Sequence, residues 1–280
     1  MSSDEIHYKV AWRATSNFPG HHQSLQKGGG LQFRNHVPLA DAPDPRRFDI
    51  RASLRDPFEQ IQVRVYQQPS AIPVFVIADL SASMGFVGAH AKVDVVADFV
   101  ANLSYSAYRT GDRFGFVGCA ERTIDEFVLP PTMNRASGMA LAERLRAMRP
   151  RGRNSLGLLE AADLLGPRRA LVFLLSDFHI SETLLERLFN TLAYHDVVPV
   201  LLWDRREFAD LPRFGLARVV DDETGHSRLL FMRPSLRRQI EQAFAERRAR
   251  LDELCLRHGR PPLVVDLGFD ADEVTHYFFG

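Results

Sequence analysis

Short, continuous runs of apolar residues divide the middle of the chain. Three of them are five to seven residues long and are separated by mixed polar segments: Val74–Ala78, Ala170–Leu175 and Val197–Trp203. Runs of this length without polar alternation are typical of strands that are buried on both faces of a sheet. We therefore expect these three segments to be central strands.

The segments between the runs have the apolar spacing of amphipathic helices. In the clearest one, from Lys92 to Arg109, apolar residues recur three or four positions apart, as at Val93, Val96 and Val100. Further helices are expected at about 137–148, 155–165 and 181–194, and further strands at 113–120 and 123–129. This alternation predicts an α/β protein with a Rossmann-like, mostly parallel sheet flanked by helices.

The two ends of the chain differ from this middle part. Residues 1–60 are rich in Gly, Pro, Asn, His and Arg, which favours irregular backbone with short strands. Ile61–Tyr66 alternates apolar and polar positions, as in a strand at a sheet edge. The spacing at 234–257 indicates a long amphipathic helix. The predicted organisation is an N-terminal arm with short strands (1–68), an α/β domain (69–232) and a C-terminal helix and tail (233–280).

Composition and charge narrow the class of protein. The 280 residues include 35 Lys and Arg against 35 Asp and Glu, and 45% are hydrophobic. This balance is typical of a soluble globular protein and favours neither nucleic acid nor an anionic membrane as a partner. Cys119 and Cys255 lack the neighbours that a zinc site or disulfide framework needs. The sequence shows no apolar segment typical of a signal peptide or membrane span, so the expected location is cytoplasmic.

Three of the apolar runs lead into an aspartate: Asp79, Asp177 and Asp204. Because parallel strands end at one edge of a sheet, where ligands bind in this class of fold, these carboxylates should lie close together. Asp79 opens the run Asp-Leu-Ser-Ala-Ser at 79–83, in which Ser81 and Ser83 add two hydroxyls. Such oxygen ligands suit Mg²⁺ or Mn²⁺. For Asp204 we expect a structural role.

The run at 79–83, with Asp177 ending a later strand, resembles the metal-ion-dependent adhesion site of von Willebrand factor A domains. The resemblance implies a metal bound by serine, threonine and aspartate and completed by an acidic side chain of a partner. The segments at 30–38 and 43–50 are similar to motifs of a bacterial subfamily labelled domain of unknown function fifty-eight, with MxaS-like members encoded beside MoxR-type AAA+ ATPases. Membership implies an adaptor or co-chaperone that serves such an ATPase in the maturation or assembly of a client protein.

The chain departs from the family pattern where a threonine ligand is expected. Asn154 stands at the threonine position, and Ser155 follows it, so either side chain could supply the oxygen. In the upstream motifs, Gln32 and Ile50 replace a glutamate and a tryptophan. With the resemblance included, the candidate metal ligands are Asp79, Ser81, Ser83, Asn154, Ser155 and Asp177.

Simpler roles remain open for the same residues. Strand-end aspartates often cap the next helix or turn, and Asn154 or Ser155 could be a helix N-cap. A metal-dependent phosphatase or phosphoryl-transfer enzyme is the alternative function at this edge. It would need a second carboxylate two residues after the nucleophile Asp79, where Ser81 lies. We therefore expect a non-enzymatic interaction module.

A group of four arginines precedes the Asn154 position: Arg146, Arg149, Arg151 and Arg153. They are either a solvated basic rim or a set of charges that steers an acidic surface of a partner to the site.

Overall fold

The computed structural model describes residues 5–12, 22, 27–67, 70–204, 214–220, 227–266 and 268–280. The strands are β1 (Lys27–Pro38), β2 (Gln62–Gln67), β3 (Pro73–Asp79), β4 (Arg113–Cys119), β5 (Thr123–Thr132), β6 (Leu171–Ser176), β7 (Asp196–Leu202), β8 (Gly215–Val220), β9 (Ser227–Met232) and β10 (Leu263–Val265). The α-helices are α1 (Ile50–Leu54), α2 (Lys92–Thr110), α3 (Arg135–Ala147), α4 (Gly157–Asp163), α5 (Glu182–Thr191), α6 (Pro234–Arg257) and α7 (Ala271–Phe279).

Six strands form the central sheet, in the order β10-β7-β6-β3-β4-β5. Neighbouring strands are parallel except for β4 and β5, which pair antiparallel. The prediction of a mostly parallel α/β sheet is therefore confirmed. The strand order reverses between β3 and β6, because the chain builds outwards from β3 to one edge and then from β6 to the other. Such a switch point is where α/β proteins bind ligands, beyond the carboxyl ends of the strands.

Both faces of the sheet are covered, which explains the unbroken apolar runs. Every residue of β6 is buried. On one face Phe173 meets Phe99 of α2, with ring centroids 5.2 Å apart. On the other face Val172 and Leu174 join a cluster with residues of α4, α5 and α6, including Leu188. Since both faces are apolar, the polar side chains of these strands are confined to their ends.

The C-terminal part of the chain contributes to this sheet. Leu263–Val265 pairs in parallel with β7 and forms the edge strand. The segment that we predicted to be a helix and tail thus contains α6, an edge strand and α7. A strand of three residues that follows Pro261 and Pro262 is too short to produce a readable apolar period.

The chain divides into two compact units, of which the central sheet belongs to the first: residues 1–8, 73–109 and 113–280. The second unit comprises residues 9–72 and 110–112. It contains α1 and a two-stranded antiparallel sheet of β1 and β2. The strand expected at Ile61–Tyr66 is therefore present as β2, but its partner is β1 in a separate sheet.

Asp49 organises the second unit by bonding to three parts of it. Its carboxylate accepts hydrogen bonds from the Ala52 backbone N–H at 3.1 Å, Arg64 Nε at 2.6 Å and His36 Nε2 at 3.0 Å. The Ala52 N–H, then Arg64 and His36, lower the pKa of Asp49 well below its ordinary value. The N-cap of α1 is thus tied to both strands of this unit.

Candidate functional site

Asp79 lies at the carboxyl end of β3, at the switch point of the sheet. Its side chain is fully buried. Oδ1 accepts a hydrogen bond from the Ser81 backbone N–H at 3.0 Å, and Oδ2 accepts from the hydroxyls of Ser155 at 2.7 Å and Ser176 at 3.0 Å. Burial, and next the charge of Asp177, raise the pKa of Asp79. These three hydrogen-bond donors are all neutral, so none of them compensates the charge of the carboxylate with a positive charge.

Three serine hydroxyls come together beside Asp79, and we call them the hydroxyl triangle: Ser81, Ser83 and Ser155. Ser81 Oγ lies 3.3 Å from Ser83 Oγ and 3.3 Å from Ser155 Oγ. Ser81 and Ser83 are brought together by the 3₁₀ turn Ala82–Gly85, which begins directly after Ser81. These separations are close to the edge of about 3.0 Å that octahedral Mg²⁺ with oxygens at about 2.1 Å would require. The two separations from Ser81 Oγ are therefore compatible with a small divalent ion.

Asp177 follows β6 and is the second buried carboxylate of the site. Lys92 Nζ donates to its Oδ2 at 3.1 Å, and the Ser83 side chain also favours the charged form of this carboxyl group. Trp203 Nε1 donates to its backbone carbonyl at 2.6 Å. Burial alone would raise the pKa of Asp177, but Lys92, and then His179, outweigh burial and lower it. The two carboxylates therefore have different surroundings, since only Asp177 has a cationic partner in direct contact.

Asn154 does not point its oxygen at the triangle. Its Oδ1 accepts from the Leu156 backbone N–H at 3.1 Å, so the side chain caps the turn before α4. The adjacent Ser155 is buried and contacts Asp79, as described above. Of the two alternatives for the threonine position, the structure therefore brings Ser155 into the site and leaves Asn154 at its margin.

The segment before Asn154 is attached to the loop after β3 by backbone hydrogen bonds. Arg151 N donates to the Leu80 carbonyl, and Ala82 N donates to the Gly152 carbonyl, both at 3.3 Å. Three arginines of this segment have exposed side chains beside the site: Arg149, Arg151 and Arg153. We call them the arginine rim.

Arg146, the fourth arginine of the predicted group, does not belong to the rim. Its guanidinium makes ion pairs with Asp98 and Glu143, each at 2.6 Å. Asp204 has a different contact: its Oδ2 accepts from Ala89 N at 2.5 Å and so holds the loop before α2. That position agrees with the structural role expected for Asp204.

Two residues of the site could not be identified as such from the sequence. Ser176 is the last residue of an apolar run, and Lys92 reads as the polar first residue of a helix. A hydroxyl directly before Asp177 was the available signal for Ser176, whereas nothing local distinguishes Lys92. Within the described ranges, no group of three or more His, Cys, Asp or Glu side chains could hold a metal. Any ion at this edge would therefore depend on the serine hydroxyls.

The central, mostly parallel six-stranded sheet with helices on its faces places the chain in the α/β class. More specifically, the chain belongs to the family described as "Protein of unknown function DUF58", which matches residues 43–250. A curated relative from Paracoccus denitrificans, described as "Uncharacterized protein in moxR 3'region", is 35% identical over 97 residues, which are 35% of this chain and 92% of the relative.

Solved structures with a similar fold include two proteins from Bacteroides. BatB from Bacteroides thetaiotaomicron is 14% identical, with a TM-score of 0.45, and the match covers 75% of this chain and 100% of that one. An aerotolerance-related membrane protein from Bacteroides fragilis is 11% identical, with a TM-score of 0.43, and the match covers 75% of this chain and 97% of that one.

The prediction of a cytoplasmic location is corrected by this comparison, because the Bacteroides fragilis protein is described as a membrane protein. The sequence argument relied on the lack of a long apolar segment, which does not determine where a protein is located. In the part of the chain that the structure describes, no helix is long and apolar enough to cross a membrane.

Proposed function

We propose that the chain is a non-enzymatic protein-interaction module that binds a MoxR-type AAA+ ATPase. It would act as an adaptor or co-chaperone of that ATPase in the maturation or assembly of a client protein. The observation that carries the proposal is the hydroxyl triangle at the switch point, with both buried carboxylates beside it. The relative encoded in a moxR 3' region supports the choice of partner.

The ion of this proposal is Mg²⁺ or Mn²⁺. The hydroxyls of Ser81, Ser83 and Ser155 would hold it, and Asp79 and Asp177 would orient those hydroxyls and balance its charge. Because the three direct ligands are neutral, the ion would keep its affinity for an anionic ligand and could bind a carboxylate of the partner. Asn154 has no ligand role in this proposal, since its oxygen is engaged by Leu156 N.

The surroundings of the triangle support a protein as the bound species. Val87 and Leu156 flank the loop and are 70% and 51% exposed. The arginine rim adds positive charge on the same side, on a segment that is bonded to the loop. Apolar contacts beside a polar centre are typical of protein interfaces, and complementary charge accelerates association. An acidic surface with a protruding carboxylate is the partner that this combination fits.

The geometry gives little support to the alternative of a phosphatase. A nucleophilic Asp79 would have to reach a phosphorus atom, but its side chain is fully buried. Both of its oxygens already accept hydrogen bonds. In addition, the position two residues later carries the Ser81 hydroxyl instead of a carboxylate that could act as a general acid.

The proposal is tested by measuring binding of the intact chain to a MoxR-type ATPase from the same organism, with Mg²⁺ or with a chelator. We expect the double variant Ser81→Ala/Ser83→Ala to bind about tenfold or more weakly, since the ligands of the ion are lost. Ser104→Ala is the matched control, because Ser104 is also buried but its hydroxyl donates to the Ala101 carbonyl of its own helix.

Undiminished binding by the double variant would overturn the assignment of the site. Failure of the wild-type chain to bind any MoxR-type ATPase of its organism would overturn the choice of partner. Binding that the chelator leaves unchanged would remove the ion from the proposal, whereas loss of binding with the chelator would support it.

A further inference from the structure

Lys92 is a buried charged residue at the first position of α2. Only 4% of its surface is exposed, and lysine is almost never buried to this degree unless it is paired. Its partner is Asp177, which is 1% exposed and lies 85 positions later in the chain, with Nζ 3.1 Å from Oδ2. A buried pair of this kind is costly to desolvate and is therefore weak evidence for stability alone. Its position beside the hydroxyl triangle indicates another role.

The charges around the triangle differ from those of a site with two free carboxylates. Asp177 is compensated by the Lys92 ammonium, while Asp79 is held by hydroxyls and a backbone N–H. Ser83 belongs to the triangle, and its side chain also lowers the pKa of Asp177, so the ammonium and the triangle both act on this carboxylate. A divalent ion on the triangle would thus be repelled by the ammonium that is buried against Asp177, in surroundings with little water to screen the repulsion.

We propose that Lys92 is the resident counter-ion of Asp177: it keeps the hydroxyl triangle assembled without a divalent ion and makes the affinity of the isolated chain for Mg²⁺ or Mn²⁺ low. This inference rests on the proposed function. Lys92 cancels the negative charge of Asp177, so that charge no longer attracts the ion. The carboxylate of the partner supplies a negative charge in its place, and the ion and the partner therefore bind together. The coupling is reciprocal, since each ligand raises the affinity for the other.

The test uses Mn²⁺ alone as the probe, with the intact chain and no partner. Binding is followed by electron paramagnetic resonance of free Mn²⁺, and Tm is measured with and without the ion. Lys92→Met keeps much of the side-chain volume and removes the charge, so we expect it to bind Mn²⁺ at least about tenfold more tightly than the wild type. Its Tm should fall in chelator and recover when Mn²⁺ is added, because the ion then neutralises Asp177.

Two further variants separate this effect from general ones. Lys92→Arg retains the positive charge and should retain the low affinity of the wild type for Mn²⁺. Arg187→Met removes an exposed charge from α5 and should change neither the affinity nor the response of Tm to the ion. If Lys92→Met does not fold in chelator, refolding in Mn²⁺ but not in chelator would still support the proposal.

Equal Mn²⁺ affinity of the wild type and Lys92→Met would overturn the inference. So would a Tm of Lys92→Met that is low and insensitive to the ion. Because no partner is present, these results are independent of the ATPase-binding experiment. The adaptor role can therefore fail while the role of Lys92 stands, and the reverse also holds.

Discussion

The replacement of Ser155 by alanine is the most direct test of how the site is built. The substitution removes one oxygen and little volume, so its effect is confined to hydrogen bonds. The lost hydroxyl donates to Asp79 Oδ2 at 2.7 Å and lies 3.3 Å from Ser81 Oγ. Asp79 would keep its bonds from Ser81 N and Ser176 Oγ. A fully buried carboxylate would thus lose one of its three donors without any access to water.

The magnitude follows from the type of bond. A hydrogen bond to a charged group contributes about 1.5–3 kcal/mol, and a neutral one about 1 kcal/mol. Because the Asp79 carboxyl group that loses this donor is fully buried, we expect the free energy of unfolding to fall by about 1–3 kcal/mol in Ser155→Ala. Asn154→Ala removes a half-exposed bond to Leu156 N and should cost about 0.5–1 kcal/mol.

The two variants are compared by urea unfolding and by binding to the MoxR-type ATPase. Stability alone separates them poorly, but binding should separate them clearly: Ser155→Ala is expected to lose affinity, and Asn154→Ala to retain it. Ser155→Thr should bind like the wild type if its additional methyl group is accommodated. The opposite pattern, with Asn154→Ala losing affinity and Ser155→Ala unaffected, would refute the assignment of Ser155 to the position of the family threonine.

Three further predictions concern the supporting structure. In Gly157→Ala the new Cβ would lie 2.6 Å from backbone atoms of the β4–β5 turn, so we expect urea unfolding to show a free energy of unfolding lowered by about 1–3 kcal/mol or more. The control is Gly85→Ala, whose Cβ meets nothing closer than 3.8 Å, and its free energy of unfolding should stay within about 0.5 kcal/mol of the wild type. Trp203→Phe leaves the buried Asp177 carbonyl without its 2.6 Å donor and should lower the free energy of unfolding by about 1–3 kcal/mol in the same measurement; an unchanged value would contradict this. Since the pKa of Asp49 is lowered on folding, its contribution to stability is present above about pH 4 and is lost as the pH falls. The free energy of unfolding of Asp49→Asn should therefore decline less than that of the wild type between about pH 5 and about pH 3. Parallel curves for the two proteins would contradict this.

The fold of the middle part could be predicted because each apolar run there indicates by itself a strand that is buried on both faces. The run Val74–Ala78 has no polar position, and such a run has to be covered on both faces wherever it lies. The edge strand Leu263–Val265 could not be predicted, because its three residues pair only after β7 has placed a free edge beside them. The pairing of β2 with β1 was missed for a similar reason. Alternation identified the strand but contains no information about its partner.

Within the site, the residues on the loop after β3 could be predicted, and those that reach it from elsewhere could not. Ser81 and Ser83 lie two and four residues after Asp79, at the start of the short 3₁₀ turn Ala82–Gly85. The choice between Asn154 and Ser155 depends on which of these two adjacent side chains, just before α4, points toward Asp79. In the structure Ser155 bonds to Asp79 across 76 positions of the chain, whereas Asn154 accepts a bond from Leu156 N. A spacing rule cannot resolve a difference of one position in a loop.

The net charge buried at the site is the property that is hardest to predict from the sequence. The formal charge of the chain is +0, and the motif alone counts two carboxylates and no base. What governs ion binding is the set of charges that are buried together, and this set includes Lys92 from the start of a helix. Opposite charges at 3.1 Å without water interact much more strongly than the same charges at the surface. A motif that matches a metal site in its oxygens can therefore differ from it in ion affinity, and our proposal assigns that difference in this chain to Lys92.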